Sequence, residues 1–99
     1  MEKNPLEIIQ KLDPGLFGSV SQIREFTFKD GALPLKTKYL IAMALDAAKG
    51  AENGVRALSL LAKKNGASKE EIMETLHVAT FIGGAGAIYT AAAGLTGVL

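Results

Sequence analysis

The chain has 99 residues, 48% of them hydrophobic, with 11 basic against 10 acidic side chains, a formal charge of +1 and no cysteine. That balance leaves no positive excess to condense on phosphates, which argues against nucleic acid as a partner. The missing sulfur excludes a disulfide, a thiolate nucleophile, an iron–sulfur cluster and a cysteine-type zinc site.

One domain spanning 1–99 is expected, and a chain this short buries only about two thirds of its unfolded surface. The apolar excess therefore points to contacts with other subunits or to a membrane. The N-terminal stretch MEKNPLEIIQKLDPG is charged, broken by prolines and without the apolar core of a signal peptide. A cytoplasmic location is the default for such a start. Strand signals are almost absent and helix signals recur. Asn4-Pro5 reads as an N-cap with proline at the first helical position, followed by the short stripe Leu6, Ile9 and Leu12. Asp13-Pro14-Gly15 breaks that helix. A second helix is expected over about 16–26, with Leu16, Phe17, Val20, Ile23 and Phe26 on one face and Gln22, Arg24 and Glu25 outside.

A loop from Asp30-Gly31 ends at Leu33-Pro34-Leu35. The third helix, about 36–49, has the centre LIAMALDAA, apolar almost all round, which marks a helix surrounded by protein. Gly50 ends it. The fourth runs from about Ala51 to Asn65-Gly66, with Val55, Leu58, Leu61 and Ala62 inside and Lys63 and Lys64 suiting the dipole of its last turn. Ser68-Lys69-Glu70-Glu71 is a capping box opening a fifth helix, with Ile72, Leu76, Ala79 and Thr80 on one side. Gly83-Gly84 breaks or kinks it, and a sixth helix covers about 85–94. The stretch from Val78 to Leu99 carries no charge and is long enough to span a bilayer. It is built from Gly, Ala and Thr, with no flanking basic cluster, and Gly83, Ala87 and Ala91 recur at four-residue steps. Close helix packing in a soluble assembly is the better reading.

Few side chains offer chemistry. His77, the single histidine, suits general acid–base work near neutral pH, or a partly buried bond to a carbonyl or neighbouring subunit. With no carboxylate at four-residue spacing it does not suggest a metal site, and neither metal nor cofactor is expected. Asp46 inside LIAMALDAA reads as a narrow solvent-facing strip with Lys49 or Lys38 nearby, since burial unpaired is costly. Tyr39 and Tyr89 read as core tyrosines or as substrate-orienting groups. Glu52 and Arg56, one turn apart, read as a surface pair, with a substrate carboxylate as the alternative partner of Arg56. Gly83-Gly84-Ala85-Gly86 lacks the preceding strand of a dinucleotide loop and the Lys-Ser or Lys-Thr of a Walker loop.

From Ala32 to Gly94 the sequence ALPLKTKYLIAMALDAAKGAENGVRALSLLAKKNGASKEEIMETLHVATFIGGAGAIYTAAAG resembles the core of the carboxymuconolactone decarboxylase and alkylhydroperoxidase D-like family. The Leu-Pro-Leu-Lys-Thr-Lys entry, the Ala-rich helix ending at Gly50, the Asn65–Ile72 segment and LHVATFIGG carry the likeness. It implies an all-α fold of about six helices, with 1–31 as N-terminal helices and 32–94 as the family core. It also implies a homo-oligomer, a trimer or hexamer. The family's peroxidase branch has a Cys-x-x-Cys pair, a following His and an upstream Glu. Placed here, these fall at Ala51, Gly54, Leu58 and near Tyr39. All four are replaced, and peroxide reduction by a thiolate and a resolving thiol is impossible without sulfur. The resemblance leaves two expectations. One is a binding or structural homo-oligomer with an apolar pocket near Tyr39, Ala51, Gly54, Leu58 and His77, taking a small apolar or carboxylate ligand. The other is a cofactor-free decarboxylase or isomerase using His77, with Arg56 holding a carboxylate and Tyr39 or Tyr89 orienting it.

Overall fold

A computed structural model describes residues 5–99. They form α1 (Glu7–Leu12), α2 (Pro14–Thr27), α3 (Leu35–Lys49), α4 (Glu52–Lys64), α5 (Lys69–Gly83) and α6 (Ala85–Leu95), with no strand among the described residues. The all-α expectation is met. Helix α1 starts two residues after Pro5, and the Asn4 cap expected for it lies outside the described residues.

Local chemistry sets the boundaries. Asp13 accepts the N–H of Leu16 at 3.0 Å and Pro14 occupies the first turn, so the stretch that ends α1 also starts α2. The Asp30 carboxylate accepts the N–H of Leu35 at 2.8 Å and caps α3 from across the loop. Gly50, at φ 84°, ends α3 in the left-handed region. At the end of α4 the N–H of Ala67 reaches Ala62 O and that of Gly66 reaches Lys63 O, the paired bonds of a Schellman motif. Both halves of the Ser68–Glu71 capping box form.

Helices α3, α4, α5 and α6 pack together. Met43, Val55, Ile72 and Leu76 are fully or almost fully buried, with alanines filling the spaces between them. Small residues draw α6 in. Ala87, Ala91 and Gly94 are its buried positions. A Cβ on Gly94 would lie 2.7 Å from Glu52 O and 2.8 Å from the Val55 side chain. Gly83 likewise lies against Ala48. The uncharged C-terminal run is thus two packed segments divided at Gly84, and no helix among the described residues is long and apolar enough to cross a membrane.

Two burial expectations need correction. Leu16, Val20, Ile23 and Phe26 of α2 are exposed rather than inward-facing. Within the chain α2 packs mainly on α1, so nothing covers this face. Helix α3 is not surrounded: only Met43 and Ala47 are buried, while Ile41 and Leu45 face outward.

Lys36–Glu71 is the one ion pair among the described residues, at 2.9 Å, and joins the start of α3 to that of α5. The Ser68 N–H and then Lys36 hold the Glu71 carboxyl below the usual carboxylate range. Its folded value is below its unfolded one. Its stabilising contribution is therefore complete above the usual range and is lost as pH falls through the folded value. Thermal melts should show Glu71→Gln less stable than the parent at pH 7, with the gap closing as the pH falls through and below the usual carboxylate range. A gap constant with pH would contradict the assignment. Gly94→Ala should cost about 1–3 kcal/mol in urea unfolding, because the obstacle is backbone as well as Val55. Gly86→Ala is the control: its Cβ would meet nothing within 4 Å.

Candidate functional site

Ala51 and Gly54, where the resemblance noted above would place two thiols, lie at the start of α4, directly after the Gly50 turn. Ala51 is the N-cap residue, and Gly54 and Leu58 continue down one side of α4 at helical spacing. Gly54 faces Asp46 on α3 so closely that a Cβ there would overlap the carboxylate. The carboxylate fills the space that any side chain at residue 54 would need. Asp46 is half-buried and lines the same cleft as Lys49, with no ion pair within the described residues.

A cleft of about 770 Å³ opens beside this contact, between α2, α3 and the middle of α4. Val20, Ile23, Phe28, Leu45 and Leu58 give it apolar walls, and Arg24, Lys49 and Asp46 add charge. The side chains of Arg24 and Lys49 form no hydrogen bond or ion pair within the described residues. A second hollow of about 610 Å³ adjoins it through Thr27, Phe28, Ala42 and Leu45. There Lys38 donates to Thr27 O at 2.9 Å, and Lys29 lies 5.2 Å from the centre of the Phe26 ring.

The residues singled out from sequence are only partly gathered here. Leu58 lines the cleft, and Gly54 lies behind Asp46, which lines it. Tyr39 stacks on Phe28 of the cleft wall, with ring centroids 5.0 Å apart. Ala51 is half-buried beside the turn. His77 is exposed on α5 rather than partly buried, and lines none of the hollows described. Tyr89 is 77% exposed on α6, not a core tyrosine. Arg56 makes no surface pair with Glu52. It donates to Thr96 O at 2.6 Å and Ala93 O at 3.0 Å, while Lys63 donates to Val98 O at 2.7 Å. Both cations thus satisfy carbonyls at the end of α6, where the helix dipole favours positive charge. The sequence reading missed Arg24 and Lys49, whose role in the cleft depends on the approach of α2 to α3. Their local pattern is that of ordinary surface charges.

The contact between residues 46 and 54 can be measured by a double-mutant cycle. With Asp46→Ala in place, Gly54→Ala should stabilise the protein by up to about 1 kcal/mol, the usual helix preference. In the parent, the same change must displace the carboxylate and should lose that gain. Equal effects in both backgrounds would show that the two residues are independent.

The family model for the carboxymuconolactone decarboxylase family matches residues 14–96. The structure is similar to the crystal structure of an apo carboxymuconolactone decarboxylase family protein from Legionella pneumophila, with a TM-score of 0.86 and 38% sequence identity. That match covers 92% of this chain and 81% of the other. No curated protein matches. The family model spans α2 to the end of α6 and the fold agrees over nearly the whole chain, so this chain belongs to the carboxymuconolactone decarboxylase family.

Proposed function

We propose that the chain is a thiol-free, ligand-binding member of its family that works as a homo-oligomer. The observation that carries the reading is the cleft lined by Asp46 and Leu58 beside the start of α4. Its walls are mostly aliphatic and aromatic, and two unpaired cations stand at it. Apolar walls with a few placed polar groups are the usual makeup of a small-molecule site. Arg24 and Lys49 suit a ligand with an apolar body and a carboxylate end. With no cysteine in the sequence, the thiol peroxidase route is closed to this chain.

Assembly is supported by surface area. The chain exposes 6777 Å², whereas a compact monomer of 10.4 kDa should expose roughly 5,400 Å². The surplus, roughly 1,400 Å², exceeds the ~800 Å² that one partner contributes to a standard interface. Nothing in the geometry favours the alternative of a decarboxylase or isomerase acting through His77, which stands exposed away from the cleft.

Fluorescence titration with 1-anilinonaphthalene-8-sulfonate, an apolar anion, tests the ligand site. Leu58→Glu, placing a carboxylate on the wall, should weaken binding about tenfold or more. Arg24→Ala, a change on the exposed side of α2, should weaken it several-fold without altering the fold seen by circular dichroism. Binding unchanged in both variants would overturn the cleft as the site.

A further inference from the structure

We propose that the two hollows between α2 and α3 act as one groove for a fatty acid of medium length, with its carboxylate at Arg24 and Lys49. The proposal rests on the ligand cleft of the function proposed above and names the class of molecule that fills it.

Two helical stripes build the groove. Lys38, Ala42, Leu45 and Lys49 recur along α3 at three- and four-residue steps and share one side of it. Val20, Ile23, Arg24 and Thr27 do the same on α2. The cleft of about 770 Å³ and the hollow of about 610 Å³ lie end to end along these stripes, with Thr27, Phe28, Ala42 and Leu45 as shared walls. No charged side chain stands at that shared waist. A helix rises about 1.5 Å per residue, so Lys38 to Lys49 spans about 16 Å, close to an extended aliphatic chain of about twelve carbons.

Charge gives the groove a direction. At the end beside Leu58, the side chains of Arg24 and Lys49 have no partner among the described residues. The cations of the other end are engaged. Lys38 donates to Thr27 O at 2.9 Å, and Lys29 lies 5.2 Å from the centre of the Phe26 ring. A lysine whose ammonium is engaged still offers its methylene stem to an apolar wall. Asp46 is the one carboxylate that lines either hollow, and it lies against Gly54 of α4. Two free cations against one carboxylate leave a positive excess at this end. An anionic head therefore belongs at Arg24 and Lys49, and an apolar tail along the waist toward Phe26 and Ile41. A neutral chain would strip water from the two cations and return nothing. A diacid would put its second carboxylate where both lysines already have partners.

Displacement of 1-anilinonaphthalene-8-sulfonate by saturated fatty acids, kept below their micelle-forming concentrations, tests the groove. Affinity should rise about tenfold or more from octanoate to dodecanoate, since burying each methylene gives up to about fourfold. It should rise little beyond that, because a longer chain outruns the groove. Dodecanol and dodecanedioate should each bind several-fold more weakly than dodecanoate. Lys49→Ala should narrow the gap between dodecanoate and dodecanol. Ala42→Phe, which puts bulk at the waist, should remove the gain from octanoate to dodecanoate. Leu45→Trp, on the exposed side of the same waist, should do likewise and guards against a folding defect in the first variant. Acids that displace the probe with no dependence on chain length, or dodecanol that matches dodecanoate, would overturn the fatty-acid groove and leave the cleft as a site for a shorter ligand. Probe binding untouched by Leu58→Glu and Arg24→Ala would remove the cleft itself, and this occupant with it.

Discussion

Glu52 O and the Val55 side chain leave no room for a Cβ at residue 94, and the distance between α4 and α6 follows from that fact. With α6 drawn this close, Arg56 and Lys63 of α4 reach the carbonyls of Ala93, Thr96 and Val98 and finish the end of the chain. The same closeness keeps the core thin. Alanines make up six of the ten residues of the buried cluster, and an alanine removes far less apolar surface from water than a leucine. The larger apolar side chains of this protein are mostly elsewhere, on its outside.

That distribution explains why a high hydrophobic content coexists with a small core. Leu12, Ile23, Phe26, Leu45, Phe81 and Ile82 are all more than half exposed in the single chain. Such groups scattered singly need no explanation, but here they run along whole helix faces. In the proposed assembly the interior of the particle would be divided between small-residue seams within each copy and large-residue contacts between copies. Stability would then depend on protein concentration, as it does for any fold whose apolar surface is completed by a partner.

The helix ends were legible in the sequence because their causes are local. Ser68 and Glu71 make their capping box within four residues, and Gly50 and Gly66 adopt the positive φ that a helix stop needs. The packing of α6 was legible too, in the four-residue recurrence of Gly83, Ala87 and Ala91. Burial on α2 and α3 was misjudged for a physical reason. Periodicity reports that a face avoids water, and does not say whether the cover belongs to the same molecule. The site was the least legible part. Arg56 had a plausible partner one turn away in Glu52, yet its donors go to carbonyls about forty residues distant. Asp46 and Gly54 lie on different helices, so no local pattern announces that one side chain fills the other's space.

That coupling bears on what residue 54 can hold. A thiol there would need the Asp46 carboxylate, which stands where the new Cβ would go, to swing away. Ala51 would need changing as well, since a single thiol without its resolving partner does not complete the exchange cycle. Leu58 lines the cleft with hydrocarbon rather than with a base. What the chain offers here is shape: a cleft between α2, α3 and the middle of α4, with the cations Arg24 and Lys49 at hand. Apolar walls with a few charged groups are the usual makeup of a small-molecule site.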